Sequence, residues 1–297
     1  MTTSLDPILV GISGSDTDDA AIAWAVDEAG SSNRSVRFVH AYQSPQMYGT
    51  GPVYTRVPAY LPGDDASART SGERLVADVI DRARQIDSSV EATGDAIDGV
   101  AVAVLIHEAT HSSLVVLGSR QVGVIGSVLG SVGAAVAARA ACPAVVLRGA
   151  AGAAEERPAV VVGIDGHDEQ TAQTLLGFGF DYASRHGVPL RAVLCWHPDP
   201  LAAMEWRLQA APPEHVQPWL SEALGGWREK YPDVESHAAT ISAHPTAGLV
   251  SESLNQRLLV VGNRGRHAFS GTLLGSVSQG VLHHAYCPVA VVPTHQN

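Results

Sequence analysis

Apolar and polar positions along this chain follow two alternating patterns. Short continuous apolar runs, such as Leu114-Val115-Val116-Leu117 and Leu258-Leu259-Val260-Val261, have the length and branched side chains of strands buried on both faces. Between such runs lie longer stretches whose apolar residues return on one helical face, as Val277, Val281, Leu282 and Ala285 do. In the C-terminal half the pattern predicts strands near 159–164, 189–196, 234–242, 257–262 and 288–293, and helices near 168–186, 213–230, 246–256 and 276–285. The N-terminal half follows the same order. There a helix near 68–88 comes after a Pro-, Gly- and Tyr-rich stretch, Ser44 to Gly63, which exceeds ordinary connections and is expected to be mobile or to form a lid. Strands separated by helical stretches predict a parallel sheet with helices on both faces. Ligands of such sheets sit beyond the carboxyl ends of the strands, at the switch point.

Self-comparison shows a duplication. Val10-Gly11-Ile12-Ser13-Gly14 returns as Val162-Gly163-Ile164-Asp165-Gly166, and Leu114-Val115-Val116-Leu117-Gly118 returns as Leu258-Leu259-Val260-Val261-Gly262. Gly130-Ser131-Val132 matches Gly275-Ser276-Val277, and Cys142-Pro143 matches Cys287-Pro288. The chain is therefore expected to be two α/β domains, residues 1–148 and 158–297, each a five-stranded parallel sheet flanked by helices. The small and charged residues from Gly149 to Arg157 form the linker. The last strand of each copy is apolar, and the two are expected to pair so that neither edge is left open.

Composition narrows the function. The chain has 297 residues, of which 45% are hydrophobic and 16% charged, which supports two packed cores and excludes disorder. A net charge of −11 argues against nucleic acid as a partner. No apolar stretch reaches the length of a membrane span and Met1 to Pro7 carries no signal pattern, so a cytoplasmic location is expected. Cys142, Cys195 and Cys287 are too scattered for a disulfide framework, and Cys142 and Cys287, each in a Cys-Pro step before an apolar run, are expected to be small buried residues.

The candidate chemistry lies between Gly262 and Ser278. An apolar strand feeds a glycine-rich loop that feeds a helix start, an arrangement whose outward N–H groups and helix dipole suit a phosphate. Gly262-x-x-Gly265, nine residues, then Gly275-Ser276 resembles the phosphate loop of the ATP-binding universal stress proteins, and Val162 to Gly166 resembles that family's opening strand. The resemblance covers the whole chain as a tandem pair. It implies ATP, with Mg²⁺, across the carboxyl edge of the sheet, where Gly262, Gly265, Gly275 and Ser276 line the ribose and phosphates and Val277 and Ser278 donate from the helix start. It also implies that Asp165 takes the ribose or positions the metal, and that the backbone of Cys195 meets the adenine. Arg264 is a candidate phosphate contact. Ser276 is expected to be the helix N-cap or to turn its hydroxyl to the anion. In the first copy Gly118, Gly130 and Ser131 stand at matching positions, but Ser13 replaces Asp165, Gln121 replaces Gly265 and the loop is one residue shorter. The second copy is thus expected to be the one that takes nucleotide.

Two motifs compete for attention and lose. His107-Glu108-Ala109-Thr110-His111 has the H-E-x-x-H spacing of a zinc protease, without a third ligand placed by the sequence. Ser13 to Thr17 resembles a pyrophosphate loop that lacks its second glycine. The resulting expectation is a nucleotide-dependent regulatory or sensing module in stress or growth arrest, with the tandem pair, and beyond it a homodimer, as its assembly. A slow ATPase or phosphotransferase is the enzyme alternative, though no residue is committed as base or as the positive group on the leaving phosphate. A nucleotide-free interaction scaffold is the third.

Overall fold

A computed structural model describes residues 5–43, 65–121, 127–128, 130–147, 159–166, 168–196, 216–263 and 274–294. The first half runs β1 (Ile8–Ile12), α1 (Asp18–Ser32), β2 (Val36–Tyr42), α2 (Asp65–Ile86), β3 (Ala92–Asp98), α3 (Ala101–Glu108) and β4 (Leu114–Gly118). A short ribbon of β5 (Arg120–Gln121) and β6 (Ser127–Val128), then α4 (Ser131–Arg139) and β7 (Ala144–Leu147), complete it. The second half runs β8 (Val160–Ile164), α5 (Glu169–His186), β9 (Leu190–Trp196), α6 (Val216–Ala223), α7 (Gly225–Lys230), β10 (Ser236–Ser242), α8 (Pro245–Glu252), β11 (Leu258–Gly262), α9 (Ser276–His284) and β12 (Val289–Val292).

Ten strands form one sheet in the order β10-β9-β8-β11-β12-β7-β4-β1-β2-β3. Each half contributes five parallel strands, and the halves meet where β12 pairs antiparallel with β7, Val289 opposite Val146 and Val291 opposite Ala144. The pairing of last strands expected from the sequence is present, and it merges the two expected sheets into one. Side-chain alternation splits the core into two layers. Ile8, Val10 and Ile12 join the helices α1, α2, α5 and α6 on one face, while Leu9, Leu117, Val161 and Val261 join α3, α4, α8 and α9 on the other. Gly11 and Gly163 occupy equivalent positions on that second face. A Cβ there would stand 2.7 Å from Leu117 and 2.8 Å from Leu249, so the bare backbone is what lets those leucines in.

Most element ends have local causes. Asp168 caps α5, accepting from the N–H of Gln170 and from the Thr171 hydroxyl, and Gly187 ends it at φ 61°. Pro245 opens α8 at a position that needs no N–H donor. The helix expected over 213–230 is instead two, because the chain turns at Leu224 ahead of Gly225 and Gly226, and α8 ends at Glu252, short of the expected 256. The Ser44–Gly63 stretch and the Gly149–Arg157 linker lie outside the described residues.

The halves also touch through helices. Trp24 of α1 stacks on Tyr182 of α5, with ring centroids 6.1 Å apart. Buried Glu28 of α1 accepts from Arg185 and lies 2.8 Å from His186 Nε2. Arg257, just before β11, reaches His186 Nδ1 at 2.7 Å and Asp27 at 3.0 Å. With the guanidinium donating to Nδ1, His186 carries its proton on Nε2 and donates it to Glu28.

Candidate functional site

In the second half β8 and β11 lie side by side, with Leu258 opposite Val160 and Val260 opposite Val162. The chain leaves β8 for β9 on one side and reaches β11 on the other, so this pair is the topological switch point. The ends of these strands gather the candidate residues. Asp165 is the first residue beyond β8, and Gly166 turns the chain at φ 75°. A Cβ on Gly166 would come within 2.7 Å of Leu194, so this turn requires glycine twice over. Gly262 ends β11 level with Ile164. Gly275 is the N-cap of α9, with Ser276 exposed, Val277 half-buried and Ser278 buried.

Ser276 is therefore not the N-cap expected from the sequence. Gly275 holds that place, no side-chain cap is seen among the described residues, and Ser276 is the first full residue of the helix. The first in-helix bond runs from Gln279 N–H to Gly275 O, so the amides of Ser276, Val277 and Ser278 have no acceptor within the helix. The Ser278 side chain turns inward and donates to Gly262 O at 2.5 Å. Arg264 and Gly265 lie outside the described residues.

Cys195 sits one residue past the last β8–β9 register pair, so its backbone lies beyond that ladder while still paired to Ile241 of β10. Its sulfur faces α8, where a Cβ on Gly248 would meet it at 2.6 Å. Burial, with the charge of Glu252 adding to it, pushes the thiol from 9.0 up to about 11. The sulfur is a packing group.

The first half builds the same frame and fills it differently. Gly118 ends β4 and Gly130 caps α4 with φ −63° and ψ 149°, against −64° and 148° at Gly275. Ser131 is exposed like Ser276. Beyond β1, however, the buried Asp18 carboxylate accepts the N–H groups of Ser13 (2.9 Å) and Gly14 (2.7 Å) and the Ser13 hydroxyl (3.2 Å). The turn amides at this strand end are thus taken by the protein's own anion. A Cβ on Gly118 would stand 2.8 Å from Thr17 O, so the start of α1 closes directly over the end of β4. Past Gly118, the backbone of Arg120–Gln121 pairs with Ser127–Val128 rather than lying open.

The competing motifs are accounted for. Glu108 of the H-E-x-x-H stretch is ion-paired with Arg37, and the α-helix ends there, giving way to a 3-10 turn at Ala109–His111. Among the described residues no group of three or more His, Cys, Asp or Glu side chains could hold a metal. Ser13 to Thr17 is the turn clamped by Asp18. A cavity of about 270 Å³ lies at the opposite strand ends, lined by Ile8, Leu114 and Pro143 with Arg34, Glu28 and Arg185. Its guanidinium groups are already engaged, Arg185 by Glu28 and Asp181 and Arg34 by Asp6 O.

A family model described as the Universal stress protein family matches residues 4–148 and again 157–293. The chain belongs to the universal stress protein family. A universal stress protein of Mycolicibacterium smegmatis is 33% identical over 291 residues, covering 96% of each chain. Universal stress protein Rv2005c of Mycobacterium tuberculosis is 31% identical over 290 residues, with the same coverage. Among solved structures, a universal stress protein from Archaeoglobus fulgidus superposes with a TM-score of 0.66 at 16% identity, over 98% of this chain and 99% of that one. The universal stress protein fold is thus present twice, joined through one sheet. No helix among the described residues is long and apolar enough to cross a membrane.

Sequence reasoning missed two sets of residues. The Asp18 clamp and Asn263, whose carbonyl accepts from the Gly275 N–H at 2.9 Å, carry no family signature in the motif as read, and Ser278 was expected at the helix start but not with its hydroxyl turned to Gly262; all three stand out when the copies are aligned. Gln170 faces Asp18, Ser119 faces Asn263, and Gly133 faces Ser278.

Proposed function

We propose that the second half binds ATP at the switch point between β8 and β11, and that the protein acts as a nucleotide-dependent regulatory module in stress or growth arrest. The observation that supports this most directly is the start of α9: three amides without acceptors in the helix, behind a glycine cap, beside the glycine that ends β11. Asp165 stands at the neighbouring strand end, a carboxylate suited to ribose hydroxyls or to a metal carried by the phosphates. Gly265 and Arg264 complete the loop in this reading. Mg²⁺ would be held mainly by phosphate oxygens and water, since Asp165 alone does not make a metal site. The first half, with its own carboxylate in the turn, serves as the fixed partner that covers the β12 edge.

The test is the nucleotide that stays on the purified chain, followed over hours. Intact ATP at one per chain is the expected result. ADP produced in a manner that depends on Asp165 would make the protein a slow ATPase, and a chain that retains and takes up no nucleotide would make it a scaffold.

A further inference from the structure

We propose that Asn263 and Ser278 are positioning residues, a clasp that fixes the amides opening α9 against the end of β11. The proposal rests on the reading of the second half as the nucleotide site, and adds which residues make that half competent.

Asn263 ties three segments together. Its N–H donates to Val292 O at 3.0 Å, its carbonyl accepts from Gly275 N–H at 2.9 Å, and its Oδ1 accepts from the Thr294 N–H at 3.2 Å and the Thr294 hydroxyl at 3.1 Å. Ser278 adds a second tie one turn into the helix, through its bond to Gly262 O. Both side chains are buried, at 7% and 5% exposure, so each bond forms where water does not compete. The end of β11 and the start of α9 are therefore held together at one point. The amides of Ser276, Val277 and Ser278 keep a constant place relative to β11.

The first half supplies the control. α4 begins with nearly the same cap dihedrals as α9, and Ser119 N–H donates to Leu147 O at 2.9 Å just as Asn263 donates to Val292. Yet Ser119 stands where Asn263 does, its buried hydroxyl without a partner among the described residues, and Gly133 stands where Ser278 does. A helix start of this shape folds without the clasp. Asn263 and Ser278 are thus not needed to build it, and what they add is rigidity at the start of α9.

The experiment uses the full chain with Asn263→Ser and Ser278→Gly, each installing the first half's residue, and with Ser278→Thr, which keeps the hydroxyl. Calorimetry with ATP and Mg²⁺ should show each of the first two weakened about tenfold and the double variant more, with Ser278→Thr close to the parent. Hydrogen exchange without nucleotide should show the Gly275 amide losing about tenfold protection in the double variant, while the strands β8 and β11 keep theirs. Faster exchange with unchanged ATP affinity, or unchanged exchange, overturns the clasp. If the parent chain takes up no ATP the functional reading fails instead, and the exchange result alone decides whether the clasp holds the helix start.

Discussion

Single residues set what each strand end can do. Asp165→Ala should weaken ATP binding about tenfold, the worth of one lost charge-assisted hydrogen bond. Gly265→Gln, which installs the first copy's residue, should remove most binding from the whole protein because a Cβ and long side chain enter the loop. Calorimetry on both variants checks this, and two equal sites per chain would contradict it. The thiols offer a pH test. Burial raises Cys195 from 9.0 to about 11 and Cys142 to about 12, and raises Tyr182 from 10.0 to about 12. A raised pKa favours the neutral form in the fold, so this stability is complete below about pH 9 and is lost as the pH climbs through 11 and 12. Denaturant midpoints should stay level to about pH 9 and then fall, and Cys195 should resist thiol reagents at pH 8 until the chain unfolds.

At the scale of elements, periodicity revealed nearly every strand and helix because each is buried along one stripe or on both faces. β8 through β12 fall within two residues of their expected limits. What the pattern missed came from interactions without a period. Two glycines after Leu224 divide a helix whose apolar spacing runs on, and the β5–β6 ribbon is too short to carry a repeat. The Ser276 cap misled because a serine beside a helix start looks the same one position inside it. The placement of Gly262, Gly275 and Asp165 at the strand ends and helix start was legible from motif spacing, whereas the hydrogen bonds of Asn263 and Asp18 join positions whose partners only the fold brings together. The contact of α1 with α5 carries its own prediction. Glu28→Ala would leave Arg185 and His186 without their shared buried acceptor and should cost roughly 3 kcal/mol in urea unfolding. A loss below about 1 kcal/mol would place this network among surface pairs.

For the whole molecule, the junction of β7 and β12 is where the halves depend on each other. Val145, Val146, Val289 and Val291 are fully buried there, and separation would expose two apolar edges. Residues 1–148 and 158–297 expressed alone should self-associate or aggregate in ultracentrifugation, and a stable monomeric half would refute this. The antiparallel junction has an electrical consequence as well. All strands of one half oppose those of the other, and the helices run back against their strands, so the helix dipoles of the two halves point in opposite directions and largely cancel at a distance. An approaching nucleotide meets the field of the net charge of −11 and feels the attracting amides only on arrival. Added salt screens that repulsion, so the association rate of ATP should rise between about 10 mM and about 150 mM ionic strength, the reverse of a steered encounter.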